Sequence, residues 1–139
     1  MAITQTMTDT CKRDLLAGDV DFDADTFKIA LFTSDATLNA STTAYADSNQ
    51  VSSTNYTAGG VALTGATVSV SDNIAFVDFA DATWSNVTFT ARGALIYNTS
   101  NSNASIAVLD FGSDKTVTNG TFTVTFPAAS ATTALIRIE

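Results

Sequence analysis

Apolar and polar residues alternate along most of this chain with the two-residue period of half-buried β-strands. Residues 121–126 alternate threonine with an apolar residue, which is the pattern of a strand with one face in a core and the other in water. Residues 92–97 and 105–111 are also rich in apolar and β-branched residues. We therefore expect three consecutive antiparallel strands between residues 91 and 126.

The connections between these three strands are polar. Residues 98–103 contain only Asn, Ser and Thr, which predicts a solvent-exposed hairpin loop. Residues 113–120 end in Asn119-Gly120 and predict a second loop. The middle strand is apolar on both faces, so it should lie at the centre of a sheet or beneath a partner.

One helix is predicted near the beginning of the chain, over about residues 6–17. Met7, Cys11 and Leu15 recur at a helical spacing, and Gly18 stands where a helix-capping glycine is common. The apolar stripe is narrow, so we expect the helix to lie on a surface, which belongs either to the chain's own sheet or to a neighbouring subunit.

A strand and a long polar connection follow. Residues 26–33 alternate in the manner of a strand, and residues 34–60 form a connection that contains Tyr45, Val51 and Tyr56. A loop of this length in a small domain is commonly functional or ordered by a partner.

The remaining segments complete an all-β pattern. A hairpin is expected over residues 61–80, with a bulge at Gly65 and a tight turn at residues 71–73, and a last strand over residues 134–138. The whole pattern predicts a single, mainly antiparallel domain over residues 1–139. Its seven to nine short strands favour a jelly-roll-like β-sandwich with one short N-terminal helix.

Composition narrows the function classes. The formal net charge is −8 with six basic residues, which disfavours nucleic-acid binding, because such binding depends on Lys and Arg. No stretch approaches the roughly 20 apolar residues of a membrane-spanning helix. The first residues carry charges where a signal peptide needs an apolar run, so we expect synthesis in the cytoplasm.

Candidate catalytic chemistry is weak, and we expect no enzyme activity and no cofactor. The chain has no His, and its single cysteine, Cys11, is expected to pack as a small apolar residue on the helix. Carboxylate pairs of the kind that hydrolyse glycosides occur at two places, but aspartates are common in turns and at strand ends: Asp78 with Asp81, and Asp110 with Asp114.

A run of alternating aspartates is the one pattern that suggests a cation: Asp19, Asp21, Asp23 and Asp25. Counted from Asp21, however, the sixth position is Thr26 and the twelfth is Phe32, so the run is not an EF-hand loop. An extended segment with an acidic solvent face, from which Val20 and Phe22 pack inward, is favoured over a metal site; another oxygen-ligand site stays open.

Four segments together resemble a group of small structural proteins of tailed bacteriophages and prophages: DTFKIALFTSDATLNASTTAYADSNQV, TAGGVALTG, ARGALIYNTS and VLDFGSDKTVTNGTFTVTFPA. The resemblance extends over nearly the whole chain. It implies a virion protein that decorates, or cements, the exterior of the capsid by binding the major capsid protein, without catalysis. We also expect a homo-oligomer, either a dimer or a trimer, which would bridge neighbouring capsid subunits.

The helix and the long loop are the candidate contact segments, because both carry apolar residues that local structure cannot bury: Met7, Cys11, Leu15, Tyr45, Val51 and Tyr56. The alternative for the helix is that it caps its own sheet. Two other functions stay open. One is a tail or head-to-tail connector subunit, and the other is a carbohydrate-binding module that uses aromatic residues such as Trp84 and Tyr97.

Overall fold

The computed structural model describes residues 2–138, which contain one helix and eight strands. The elements in chain order are β1 (Thr6–Met7), α1 (Asp9–Ala17), β2 (Phe27–Phe32), β3 (Val61–Ala62), β4 (Thr67–Ser71), β5 (Ile74–Asp78), β6 (Ala82–Asn98), β7 (Ala104–Val124) and β8 (Ile136–Ile138).

The strands form two antiparallel sheets. The large sheet has the order β1-β7-β6-β2-β3, and the small sheet has the order β4-β5-β8. Every pairing between these named strands is antiparallel. The predicted fold class, all-β and mainly antiparallel with one short helix, is confirmed, whereas the jelly-roll-like sandwich stays a prediction.

Both faces of the large sheet are covered around β2. Phe27, Ile29 and Leu31 of β2 pack into the main core, which also receives residues of the small sheet such as Val77. The opposite face of β2 packs Phe32 into a second cluster with residues from β6, β7 and the long loop. A strand that is buried on both faces must be apolar on both, which explains the sequence of the central strands.

The prediction of three strands between residues 91 and 126 was wrong, because β6 and β7 form one long hairpin. The exposed loop at its tip was correctly predicted, and residues 99–103 form its turns. The predicted loop at 113–120 lies within β7. Asn119, at φ 46°, belongs to a bulge that offsets another around Asn86, at φ 56°, on β6, so the two strands regain register.

The helix begins three residues later than predicted. Thr8 is its N-cap and accepts a hydrogen bond from the Cys11 N–H at 3.2 Å, and Gly18 in the left-handed region ends it as expected. Met7 is therefore not a helical residue. It belongs to β1, where it pairs with Ala107 of β7, because pairing with an open strand edge satisfies its backbone groups.

The segment around Gly65 moves the chain from one sheet to the other. β3 pairs with β2 in the large sheet, whereas β4 pairs with β5 in the small sheet. Gly65 has φ 66°, so the predicted bulge is a break between two strands. The tight turn that follows was correctly predicted, since Asp72 and Asn73 connect β4 and β5.

Candidate binding surfaces

Three of the six candidate contact residues lie in the chain's own core. Cys11, Val51 and Tyr56 are at most 8% exposed, so they offer almost no surface to a partner in this conformation, and their role as contact residues stays a prediction. The other three, Met7, Leu15 and Tyr45, are half-buried. The helix packs along β7, in agreement with the alternative that it caps its own sheet.

The long connection is ordered by the chain itself through Gln50. The Gln50 Oε1 atom accepts hydrogen bonds from the Tyr45 and Tyr56 hydroxyls, each at 3.3 Å, and from the Gly59 N–H at 3.0 Å. The Tyr56 hydroxyl also accepts a hydrogen bond from the buried N–H of Leu31, at 2.9 Å. Residues 34–60 therefore have apolar side chains that the fold buries without a second molecule.

The aromatic residues considered for sugar binding do not form an exposed platform. Trp84 and Tyr97 are each 3% exposed. Tyr97 stacks on Tyr45 with ring centroids 4.6 Å apart, and Trp84 stacks on Tyr56 at 6.3 Å. Each of the two rings is thus buried and stacked on a tyrosine. Neither ring presents the exposed aromatic face on which the carbohydrate-binding hypothesis depends.

Asp110 and Asp114 both lie close to the positively charged side chain of Arg92. Arg92 lies 3.4 Å from an Asp110 carboxylate oxygen and 3.9 Å from one of Asp114. The two aspartates flank extra residues of β7 that bulge opposite Arg92, since Gly93 pairs with Asp110 and Ala91 with Lys115. The ion pairs of Asp110 and Asp114 with Arg92 therefore lie at a bulge in β7. Within residues 2–138, no three Cys, Asp or Glu residues come together as a metal site would require.

The aspartate run of residues 19–25 folds as turns instead of the expected extended segment. Asp25 accepts hydrogen bonds from the Asp21 N–H at 3.0 Å and from the Asn98 side chain at 2.8 Å. Phe22 packs inward, as expected, and stacks on Phe27 with a centroid separation of 5.1 Å. The Asp21 carboxylate likewise accepts a hydrogen bond from the Asp23 N–H, at 2.9 Å, so the Asp21 and Asp25 carboxylates help to hold the turns together.

Cys11 lies in an environment that keeps its thiol protonated. Burial, and secondarily the nearby Asp14 carboxylate, raises the pKa of Cys11 to about 12. Because the thiolate is the nucleophile, the residue behaves as the small apolar side chain that its position on the helix predicts. The one helix of the described chain, nine residues long, is too short to cross a membrane.

A groove runs beside β7 between Leu109 and Val124. Two adjacent clefts of about 350 and 360 Å³ share Phe111 and Val124. Together we call them the β7 groove, defined by six lining residues: Gln5, Leu109, Phe111, Lys115, Phe122 and Leu135. Phe111 and Phe122 contact each other with ring centroids 6.0 Å apart, and both stay half-buried.

The β7 groove lies beside an open strand edge. On the side away from β6, β7 pairs only with β1, at Ala107 and Val108, among the described strands. Beyond these two pairs the Gln5 side chain accepts a hydrogen bond from the Asp110 N–H at 3.2 Å. A groove lined by both aromatic and polar side chains, next to unpaired strand backbone, has features that bind an extended peptide segment.

A second surface lies at the edge of the small sheet, where an exposed apolar row borders a largely buried one. Two apolar rows cross one face of this sheet, and we call the six residues the β4 face: Val68, Val77 and Ile136 in the inner row, and Val70, Ala75 and Ile138 in the outer row. Val70 is 73% exposed and Ile138 is 52% exposed. Leu15 and Phe22 line a cleft of about 100 Å³ over this face.

Comparisons with known proteins identify no relative. No protein-family model, no curated protein and no solved structure matches the chain.

Neither surface was among the contact segments expected from the sequence. The sequence did contain a signal for the groove, because the double-sided apolar pattern of residues 105–111 indicates a strand at a sheet centre or beneath a partner. Val68 and Val70 alternate with Ser and Thr in a strand without charges. That pattern indicates a strand, but it does not indicate that the strand would be left at an edge.

Proposed function

We propose that the protein is a decoration, or cement, protein of a tailed-phage capsid. It binds the outside of the major capsid protein lattice through the β7 groove and stabilises the mature head. The phage assignment rests on the resemblance of four sequence segments, and the β7 groove is the structural observation that supports a binding role.

The occupant of the groove is an extended segment of the capsid protein. Its backbone pairs with the open edge of β7 beyond Val108, and every second side chain enters the groove. Phe111, Phe122 and Leu109 are half-buried there, so they contribute apolar area that a partner removes from water. Lys115 lines the same groove and favours an acidic residue at that end of the segment.

Stabilisation of the shell follows from linkage. A protein that binds the mature lattice more tightly than the immature lattice or the free capsid subunit shifts the equilibrium toward the mature lattice. The shift is limited by the difference between those affinities. When one copy bridges two capsid subunits, weak contacts add through a high effective concentration.

The first experiment is the copy number of the chain per purified virion, measured by quantitative mass spectrometry against the major capsid protein. A decoration protein is expected at a ratio near one or at a simple fraction of it. Six or twelve copies per particle would instead indicate a ring-forming tail or connector subunit, and absence from the virion would refute both placements.

The second experiment tests the groove. Phe111→Asp places a charge among apolar groove residues and should weaken binding to purified shells by at least about thirtyfold. That estimate follows because losing an aromatic hot spot costs about 2 kcal/mol or more, and 1.4 kcal/mol is a factor of ten. Leu16→Asp is the matched control, since Leu16 is apolar, 93% exposed and outside the groove.

Co-sedimentation with shells measures the affinity, and circular dichroism confirms that both variants are folded. Shells that carry Phe111→Asp should also lose the protein's protection against heat and osmotic shock. Equal binding by Phe111→Asp and Leu16→Asp would show that the groove is not the contact site. Shells that survive equally well with and without the protein would refute the cementing role itself.

A further inference from the structure

Strand β4 is an edge strand without the usual protection against pairing. All five of its residues are exposed, and β5 is its one neighbour among the described strands. Edge strands of monomeric proteins are commonly protected by charges, proline, bulges or a covering loop. The sequence of β4, Thr-Val-Ser-Val-Ser, contains neither charge nor proline.

The hairpin turn determines which backbone groups of β4 are unpaired. Asp72 and Asn73 both have positive φ, 52° and 65°, as in a type I′ turn, and the residues that flank such a turn form a hydrogen-bonded pair. Hydrogen-bonded and non-hydrogen-bonded pairs then alternate along β4. The N–H and C=O groups of Val68 and Val70 therefore point away from β5.

We propose that β4 pairs with β4 of a second copy of this chain, antiparallel about a two-fold axis at Ser69. This register places Val68 opposite Val70 of the second copy and satisfies the outward backbone groups of both residues, with four hydrogen bonds in total. The two small sheets become one six-stranded sheet, and the apolar rows of the two β4 faces join across the axis.

Self-complementarity identifies the occupant as a second copy. The strand reads nearly the same in both directions about Ser69, so valine meets valine on one face and hydroxyl side chains meet on the other. Asp72 falls opposite Ala66 of the second copy. The two Asp72 residues are then roughly 20 Å apart at about 3.3 Å per residue, beyond the screening length of about 8 Å in physiological salt.

A disulfide cross-link tests the axis directly. Ser69 would form a non-hydrogen-bonded pair with its own copy, with Cα atoms about 4.5 Å apart, which lies within the range that a disulfide spans. In Ser71→Cys the two cysteines would be roughly 13 Å apart at the same rise per residue. The native Cys11 is fully buried and does not compete.

The isolated full chain is oxidised by air with copper phenanthroline, and covalent dimer is followed on non-reducing gels. Ser69→Cys is expected to cross-link at least tenfold faster than Ser71→Cys. Equal rates, or no dimer from Ser69→Cys, would overturn the proposal. The experiment contains no capsid, so its outcome is independent of the decoration function.

A backbone variant separates strand pairing from simple apolar contact. Val70→Pro removes an N–H that points away from β5, so the internal ladder of the small sheet stays intact. In the Ser69→Cys background, both Val70→Pro and Val70→Lys should lower the cross-linking rate at least tenfold without changing the secondary structure seen by circular dichroism. Val70→Thr, which keeps the N–H, should change the rate less than threefold, and undiminished cross-linking in Val70→Pro and Val70→Lys would overturn the pairing.

Discussion

Replacement of Tyr56 by phenylalanine tests whether the long loop is part of the fold or a contact segment. The Tyr56 hydroxyl accepts a hydrogen bond from the Leu31 N–H at 2.9 Å and donates one to Gln50 at 3.3 Å. Leu31 is the fifth of the six residues of β2 and is fully buried. Removal of the hydroxyl leaves the Leu31 N–H without this acceptor, whereas Gln50 keeps its bonds from Tyr45 and Gly59.

The expected cost is dominated by the orphaned N–H. A buried donor without an acceptor costs about 1–3 kcal/mol. At about 2.1 cal/mol/K of unfolding entropy per residue, the 139 residues lose roughly 3 °C of Tm for each kcal/mol. Tyr56→Phe should therefore lower Tm by about 3–10 °C, with binding to shells unchanged below the new transition.

Tyr45→Phe is the matched control. The Tyr45 hydroxyl also bonds to Gln50, at 3.3 Å, but Tyr45 is half-buried, so water can replace the lost bond and the cost should stay below about 1 kcal/mol. Thermal unfolding followed by circular dichroism gives both values. Equal losses in the two variants, or a Tyr56→Phe variant that is fully stable but does not bind shells, would refute the assignment of Tyr56 to the core.

Three further predictions concern stability and reactivity. Gly60→Ala should prevent folding, because a Cβ atom there would lie 1.7 Å from a β2 carbonyl oxygen. Gly18 has a similar positive φ but no atom within 4 Å of the position that a Cβ atom would take, so Gly18→Ala should lower the free energy of unfolding, measured by denaturant titration, by only about 1–2 kcal/mol. Burial raises the pKa of Cys11, Tyr56 and Tyr97 to about 12, so the unfolded chain loses these protons first. Tm should begin to fall above about pH 9, where the unfolded thiol ionises, and should fall more steeply between about pH 10 and 12, where the unfolded tyrosines ionise as well. Cys11 should react with a thiol reagent at pH 8 no faster than the protein unfolds, since its thiol is buried and protonated; rapid labelling of the native protein would contradict this.

Local sequence patterns predicted the strands well and their connections less well. The period-two alternation of residues 26–33 and the turn at Asp72 and Asn73 depend on neighbouring residues, so both were predicted correctly. Asn119-Gly120 suits a tight turn and a bulge equally, because both need a residue with positive φ. The choice depended on the compensating bulge at Asn86 on β6, which is distant in sequence.

The helix boundary shows the same limit. Met7 continues the apolar spacing of Cys11 and Leu15, and that spacing alone favours a helix over residues 6–17. The helix begins later because Thr8 caps it, and the Thr8 hydroxyl also lies within hydrogen-bond distance of the Ser105 carbonyl on β7, at 3.2 Å. A contact across nearly a hundred residues cannot be inferred from helical periodicity.

The burial of the candidate contact residues depends in the same way on packing between distant parts of the chain. Apolar residues in a polar loop suggest a partner surface, yet Val51 and Tyr56 are buried in the chain's own core. Exposed strand edges are the better indicator of a partner, because unpaired backbone groups specify an extended segment as well as apolar area. The β7 groove and the β4 face lie on different sheets, so capsid binding and self-pairing do not compete for the same strand edge. A copy that uses both would link two capsid contacts through one dimer, and the second contact would then form at a high effective concentration.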